Sequence, residues 1–422
     1  MWWQQATDRL SHLRYRIALQ NRLLIDALLV LVGLALIKWG GTSTIDVVGA
    51  LTSLLGAILF FINMRERRVR SLATHIVENE NFLDNLLSAK LPDGFELFYG
   101  STQYSTPSPE INLKEARPYI TNSAINEQMD GSRNPIVLKD KPYKVPTTLV
   151  EHRLRCININ KPDFNDPKVG LRTDLTVEAL LDQRRVHLQK TDYFSSSATN
   201  EMAGKQFVAA SETRQGRPRL IYAVSDLIFD NHELLGLNES SLSNHIGVST
   251  LVITADNFLV LQDQGQQTDS PNETAVGASG SADGFDITET QIGDPTLQGL
   301  VRHAMEREAK EELSATFTTG RKNTTLTGYA RYLARGGKPE FFGISRTSAY
   351  LNQLQPTKAD MRFVSGIWGR PFEPSPQGLL STIEALLSEG KTQRRRYSLS
   401  MIVCLRMAQD HLRRMPPHIK LG

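Results

Sequence analysis

Two long apolar segments near the start of the chain constrain its fold more than any other feature. They run from Leu23 to Trp39, LLIDALLVLVGLALIKW, and from Thr44 to Asn63, TIDVVGALTSLLGAILFFIN. A helix needs about 20 mostly apolar residues to cross the hydrocarbon core, with about 17 as the lower limit. A signal peptide fits less well, because no small-residue cleavage site follows the first segment. A buried soluble hairpin is disfavoured by apolar residues all round. We predict a transmembrane helical hairpin in the lipid bilayer, residues 23–39 and 44–63.

Basic residues on both sides of this hairpin set its predicted orientation. The arginines concerned are Arg9, Arg14, Arg16 and Arg22 before it and Arg65, Arg67, Arg68 and Arg70 after it. The link GGTS between the helices carries no charge. The positive-inside rule therefore places residues 1–22 and everything after the second helix in the cytoplasm.

The second apolar segment has a stripe of small residues, Gly49, Ser53 and Ala57, at i, i+4 and i+8. Small residues let helices in a membrane approach closely. The stripe fits packing within the hairpin and packing between subunits equally well.

The composition bounds the partners of the chain. Its 422 residues carry a formal net charge of +3, which is too small an excess to predict duplex nucleic acid as a partner. The two cysteines, Cys156 and Cys404, have no metal-ligand motif around them. We expect free, buried thiols in a reducing compartment.

The segment after the hairpin predicts a stalk and then an extension. Apolar residues between Val69 and Leu87 have roughly helical spacing, so residues 64–91 are interpreted as a cytoplasmic stalk helix. Residues 92–244 are interpreted as an α+β extension of undetermined fold, with a short helix from Leu175. Its strand-like runs are Phe95–Gly100, Thr147–Ile159, Arg184–Thr191 and Arg219–Asp226.

Two adjacent aromatic residues, Tyr193 and Phe194, lie in the polar segment KTDYFSSSATNE of this extension. Aromatic rings stack on bases in nucleotide sites, so both are candidate ligand contacts. The alternative is that the pair anchors a loop in the core, because aromatic side chains bury readily.

The segment EREAKEEL, residues 306–313, carries the chemistry. On a helix Glu308, Glu311 and Glu312 stand at i, i+3 and i+4, so that three carboxylates share one face. Such like charges repel, whereas Mg²⁺ prefers carboxylate oxygens and would stabilise them. Arg307 can orient one glutamate through a bidentate contact. A solvated Glu-rich helix is the alternative, and the octet alone leaves both open.

The surroundings of the octet resemble the Nudix superfamily. A buried strand at 247–254, a hairpin partner from Phe258 and a small-residue loop at 276–281 precede the expected helix, and a segment with a Gly-Gly turn follows from Tyr332. The Nudix box can be written G-x5-E-x7-R-E-U-x-E-E-x-G-U, where U is aliphatic. Aligned with this chain, the box gives Gly293, Gly299 in place of the first Glu, Arg307, Glu308, Ala309, Glu311, Glu312 and Ser314 in place of the last Gly.

This resemblance implies an α/β fold, an α/β/α sandwich, for residues 245–422, with C-terminal helices. In the family a metal-bound water attacks phosphorus. Glu308, Glu311 and Glu312 would then be Mg²⁺ ligands, and Glu311 and Glu312 the catalytic residues if the site hydrolyses. Glu340 is a candidate for a further acidic ligand.

Two membrane helices joined to a degenerate Nudix box resemble the transmembrane Nudix effectors of CBASS, a bacterial anti-phage system. There a CD-NTase makes a cyclic oligonucleotide during infection, and the effector then damages the inner membrane. The resemblance implies a cyclic nucleotide as partner, a homo-oligomer on activation, and location in the bacterial inner membrane. We expect the phosphates to dock near Arg307, Arg331, Arg335 and Lys338.

Two other functions fit the same sequence. One is a membrane-anchored, Mg²⁺-dependent pyrophosphohydrolase of a nucleoside diphosphate derivative. The other is an anchor whose Nudix-like fold docks a protein.

Overall fold

The structure is a computed structural model that describes residues 31, 34, 52–53, 55–57, 74–100, 116–150, 152, 156, 165–212, 218–265, 272–318, 322–357, 364–391 and 396–416. Apart from seven scattered positions, both predicted membrane helices lie outside these residues, as do residues 1–22 and 64–73. Within the described residues, no helix has both the length and the apolar character that a bilayer crossing requires.

The described residues form short strands and helices. The strands are β1 (Thr74–Glu78), β2 (Glu96–Tyr99), β3 (Pro118–Thr121), β4 (Ile136–Lys139), β5 (Pro167–Leu171), β6 (Val186–Asp192), β7 (Lys205–Glu212), β8 (Pro218–Ala223), β9 (Phe229–Asp230), β10 (Glu233–Leu234), β11 (Gly247–Ile253), β12 (Phe258–Gln264), β13 (Thr274–Val276), β14 (Ala278–Ser281), β15 (Thr324–Tyr332), β16 (Lys338–Arg346) and β17 (Val364–Pro371). The helices are α1 (Phe82–Ser88), α2 (Ser123–Met129), α3 (Thr147–Val150), α4 (Val177–Leu181), α5 (Tyr193–Ser197), α6 (Gly284–Gly293), α7 (Leu297–Leu313), α8 (Pro376–Lys391) and α9 (Leu399–Arg414).

One compact unit comprises residues 1–79, 147–166 and 205–224. Its described part contains an antiparallel sheet in the order β1-β7-β8, with Ile76 opposite Phe207. Residues 74–78 are therefore a strand, and the described part of segment 64–91 differs from the single stalk helix predicted there. The β-branched Ile76 and Val77 fit a pleated strand, and pairing with the distant β7 overrides the local helical spacing. At Thr147 a short helix, α3, stands where a strand is predicted.

The other unit comprises residues 80–146, 167–204 and 225–422. Its largest sheet has nine strands, in the order β13-β12-β11-β16-β15-β3-β2, with β14 also paired to β11 and β17 to β12. Strands β11 and β16 run parallel, with Gly247 opposite Glu340. A smaller sheet joins β4, β6 and β5.

Helices cover both faces of the nine-stranded sheet, which confirms the predicted mixed α/β sandwich. Successive side chains of a strand point to opposite faces, and β16 shows this directly. Phe341 lies in one buried cluster with Met305 of α7, whereas Phe342 lies in another with Leu405 of α9. The sheet thus holds α7 on one face and α9 on the other.

The predicted boundary at residue 244 differs from the observed organisation. Strand β3 pairs with β15, with Thr121 opposite Ala330, and β2 pairs with β3. Residues 96–99 and 118–121 therefore extend the same sheet as strands β11, β12, β15 and β16. The strands predicted around residues 95–100, 184–191 and 219–226 and the helix after Leu175 are present as β2, β6, β8 and α4.

Candidate functional site

Helix α7 carries the glutamates, and local sequence defines both of its ends. The hydroxyl of the N-cap residue Thr296 accepts a hydrogen bond from the Gly299 amide at 3.0 Å. At the other end Ser314 has φ 55° and ψ 30°, the left-handed conformation that usually favours glycine. Its hydroxyl donates to the Gln355 carbonyl at 2.9 Å. Ser314 therefore ends the helix where the Nudix box has glycine.

The glycines show that the loop before α7 does not follow the spacing of the Nudix box. A Cβ atom at Gly280 of β14 would overlap the carboxylate of Glu308, whereas a Cβ at Gly293 would meet nothing within 4 Å. The glycine that lets the loop approach α7 closely is therefore Gly280 and not Gly293. Helix α6 is inserted between Gly280 and α7. A Cβ at Gly299 would overlap the Asp294 carbonyl, so this backbone leaves no room for the glutamate of the box.

Arg307 lies at the centre of a buried charge network. Its Nε and Nη2 donate to the two carboxylate oxygens of Asp286 at 2.9 and 3.0 Å, and Nη2 also donates to the Ser281 carbonyl at 2.8 Å. Asp286 is completely buried and lies on the inserted helix α6. A bidentate pair of this kind is strong and directional. Asp286 thus supplies the carboxylate that Gly299 lacks, and Arg307 is engaged within the protein.

Each of the three glutamates is engaged within the protein, and Glu308 forms an ion pair with Nη2 of Arg307 at 3.1 Å. Glu308 accepts from the Ser281 amide at 3.2 Å, and Glu312 accepts from the Ser279 amide at 3.2 Å and from Gln262 at 3.1 Å. The more exposed Glu311 pairs with Arg307 at 2.8 Å. Two of the carboxylates therefore fasten α7 to alternate residues of β14. The described residues contain no group of three or more His, Cys, Asp or Glu side chains that could hold a metal ion.

The chemistry of Glu308 and Glu312 nevertheless suits a hard cation. Burial raises the pKa of the Glu308 carboxyl to about 7, although Arg307 and Lys168 act to lower it. Carboxylate oxygens are the ligands that Mg²⁺ prefers, and a cation beside Glu308 would favour its ionised form. These two residues would hold Mg²⁺, and Glu311 would join them only after leaving Arg307.

Glu340, the candidate further ligand, is not brought to these glutamates. It precedes Phe341 on β16, so its side chain shares the α9 face with Phe342 and not the α7 face. There it is buried and forms an ion pair with Lys338. Glu340 therefore does not join the glutamates of α7, because its side chain lies on the opposite face of the sheet.

The expected phosphate-binding surface is not formed by its predicted residues in this structure. Lys338 is buried with Glu340, and Arg335 donates to the Glu201 carboxylate at 2.6 Å. Arg331 is only 2% exposed and donates to the carbonyls of Gly337 and Leu235. Long cationic side chains on buried strands need such acceptors.

Tyr193 and Phe194 begin a short helix, α5, in place of the predicted loop. Asp192 caps this helix, its carboxylate accepting from the Ser195 amide at 2.8 Å. Phe194 is buried, as the alternative interpretation expects, and Tyr193 is partly buried with its ring centroid 6.1 Å from that of His245.

Asp286 is the residue of this site that the sequence reasoning missed. Its signal is the spacing of Asp283 and Asp286, which predicts a capping box and hence a helix start at Gly284. In the structure Asp286 indeed accepts from the Asp283 amide at 2.7 Å. That signal would have revealed α6 as an insertion within the box.

No family model and no curated protein sequence matches the chain. Solved structures match part of it. DR0079 from Deinococcus radiodurans is 15% identical with a TM-score of 0.25, and the match covers 39% of this chain and 82% of that one. A MutT protein from Methanosarcina mazei Go1 is 10% identical with a TM-score of 0.25, covering 39% and 91%. The M. smegmatis Nudix hydrolase RenU is 11% identical with a TM-score of 0.26, covering 41% and 88%. Likenesses this weak carry no argument about family, activity or substrate.

Proposed function

We propose that this chain is a membrane effector of a CBASS anti-phage system, whose Nudix-like domain senses a cyclic oligonucleotide made by a CD-NTase. Ligand binding favours a homo-oligomer, and the two apolar N-terminal segments then disrupt the bacterial inner membrane and arrest growth. Both termini lie in the cytoplasm. Such a ligand acts only through its different affinities for the resting and active states.

The arrangement of the α7 carboxylates supports recognition over cleavage. Metal-dependent hydrolysis needs carboxylates that converge on the ions. Here Glu308 and Glu312 accept from amides of β14, and Glu311 is paired with Arg307. The helix face that performs chemistry in the family therefore holds the sandwich together in this chain.

The test is dye release from liposomes that contain the full-length protein. We expect one of a panel of cyclic di- and trinucleotides to cause release, and linear dinucleotides of the same bases to cause none. Release that is identical with and without every cyclic nucleotide would overturn the effector proposal. Protein-free liposomes with each nucleotide serve as the control.

The alternative function is a membrane-anchored, Mg²⁺-dependent pyrophosphohydrolase of a nucleoside diphosphate derivative. The observation that favours it is the largely buried side chain of Glu308, 12% exposed, whose carboxyl pKa is raised by burial to about 7 and which a cation would stabilise. Bound Mg²⁺ would supply Lewis-acid activation of water. Glu308 and Glu312 would hold it.

Phosphate release separates the two functions. If the chain is a hydrolase, nucleoside diphosphate derivatives yield phosphate or nucleoside monophosphate with Mg²⁺, and Glu311→Gln or Glu312→Gln abolishes the reaction. Glu289→Gln, an exposed residue of α6 outside the network, is the matched control. We expect no Mg²⁺-dependent release from the unaltered protein.

A further inference from the structure

A cavity of about 630 Å³ lies in the larger unit, away from the glutamates of α7. Four segments line it: the loop at 92–95, the start of α2, the start of α4, and β15. Ligand pockets are typically about 300–1,000 Å³, so the cavity has room for one nucleoside. None of the functions above uses it.

One wall of this cavity holds a buried guanidinium with an unused donor. Arg331 donates through Nε to the Gly337 carbonyl at 3.1 Å and through Nη2 to the Leu235 carbonyl at 2.8 Å. Its Nη1 has no hydrogen-bond partner in the described part of the chain. A buried donor without a hydrogen bond is unfavourable, so an acceptor on a ligand would stabilise it.

Asp174 places a carboxylate beside that donor. Its Oδ1 lies 3.8 Å from Nη1 of Arg331 and accepts from the Leu237 amide at 2.8 Å. The cavity therefore presents a donor and an acceptor side by side. Phe95 and Tyr329 also line it, in an edge-to-face pair with centroids 6.4 Å apart.

The net negative charge of the residues that line the cavity disfavours the binding of phosphate. Asp93, Asp174 and Glu178 contribute three carboxylates against the single guanidinium of Arg331. This formal charge of −2 repels an anion and favours a ligand that offers N–H or O–H donors.

We propose that the cavity binds a nucleobase through its hydrogen-bonding edge, with Nη1 of Arg331 donating to a ring acceptor and Asp174 accepting from the adjacent base donor. Guanine fits best, because its O6 acceptor stands beside the N1–H and N2–H donors. The inference rests on the proposed function and deepens it: a base of the signal enters the cavity and its phosphates stay outside.

Calorimetry on the full-length protein in detergent tests this assignment, with guanosine, adenosine, cytidine and uridine as probes and inorganic phosphate as a separate one. We expect guanosine to bind and phosphate not to bind. Asp174→Asn replaces one acceptor oxygen of the carboxylate by an NH2 donor. This change should weaken guanosine binding by about tenfold or more. Asp182→Asn, at the exposed other end of α4, is the matched control and should change nothing.

A second variant, which fills the cavity, distinguishes loss of binding from loss of folding. Ala124 lines the cavity and is exposed, so Ala124→Trp should abolish guanosine binding and leave the melting temperature unchanged. Failure of every nucleoside to bind, or binding that survives Ala124→Trp, would overturn the assignment. Cyclic-nucleotide-dependent leakage that persists in Ala124→Trp would retain the effector proposal and reject the cavity as its sensor. Guanosine binding without leakage by any cyclic nucleotide would retain the cavity as a base-binding site and reject the effector proposal.

Discussion

Arg307 and Arg331 are two arginines of the same unit in opposite situations, the first largely buried and the second fully buried. All three guanidinium nitrogens of Arg307 have protein partners, among them the fully buried carboxylate of Asp286. Arg331 is more deeply buried and lines a cavity, yet its Nη1 has no hydrogen bond in the described residues.

The comparison indicates that Arg307 stabilises the fold, whereas Arg331 is a candidate for ligand binding. Burying an ion is unfavourable unless its partners satisfy it, so the network around Arg307 must be complete for the loop and helix to hold their shape. An incomplete network such as that of Arg331 persists when the fold holds the side chain in place by other contacts. The contacts of Arg307 therefore support a structural role for the start of the segment 307–312.

Removing the charge of Asp286 should produce the largest effect. Asp286→Asn leaves Arg307 buried without its bidentate carboxylate, and breaking a buried pair costs about 3–5 kcal/mol. We expect the melting temperature in detergent to fall by roughly 10 °C. Glu289→Gln on the same helix is exposed and should leave it unchanged. Equal melting temperatures for the two variants would contradict the structural role of Arg307.

The next effect comes from the approach of β14 to α7. Gly280→Ala forces a methyl group into the Glu308 carboxylate, and overpacking of this kind costs about 1–3 kcal/mol. Gly293→Ala, where a Cβ meets nothing, is the matched control and should be neutral. Thermal melts of the two variants compare them directly. If Gly293→Ala were the more destabilising change, the box would open at Gly293 as the sequence spacing predicts.

Acid should destabilise the protein through His245, another incompletely bonded buried group. Burial lowers the pKa of His245 well below 6.5, and nearby Lys338 and Arg335 lower it further. Below pH 6.5 the unfolded chain binds a proton that the folded chain does not, so stability falls by up to about 1.4 kcal/mol per pH unit until the folded pKa is reached. His245→Gln should flatten this loss in denaturant titrations between pH 7 and 5.

The matched control for that titration is the exposed His187. His187→Gln should retain the acid sensitivity of the unaltered protein. Glu308, whose raised pKa makes protonation favour the folded state between about 4.5 and 7, is present in all three proteins and cancels in the comparison. An unchanged pH slope in His245→Gln would show that other groups dominate acid unfolding.

What the sequence predicts correctly here is what local pattern determines. Strands β11 and β12 and helix α7 stand where the short-range pattern of the sequence predicts them. The strand at Thr74–Glu78 is missed because its partner β7 lies far along the chain, and hydrophobic spacing alone cannot report such pairing. The glutamates are identified by their spacing, but their partners depend on β14 and on the inserted helix α6. Arg331 and Lys338 are predicted to lie near docked phosphates because the sequence shows their charge without showing their burial.

The smallest effect tests whether the α7 carboxylates are structural or metal-binding. Glu311→Gln removes an exposed i, i+4 ion pair with Arg307, which contributes about 0.3–0.5 kcal/mol. We therefore expect a drop in melting temperature of roughly 1–2 °C, and the same drop with and without added Mg²⁺, because Arg307 already occupies the carboxylate. A metal ligand would behave differently: Mg²⁺ would raise the melting temperature of the unaltered protein by mass action, and Glu311→Gln would lose that rise. A magnesium-dependent gain that Glu289→Gln keeps and Glu311→Gln loses would transfer Glu311 from the structural network to a metal site, and would favour hydrolysis over sensing.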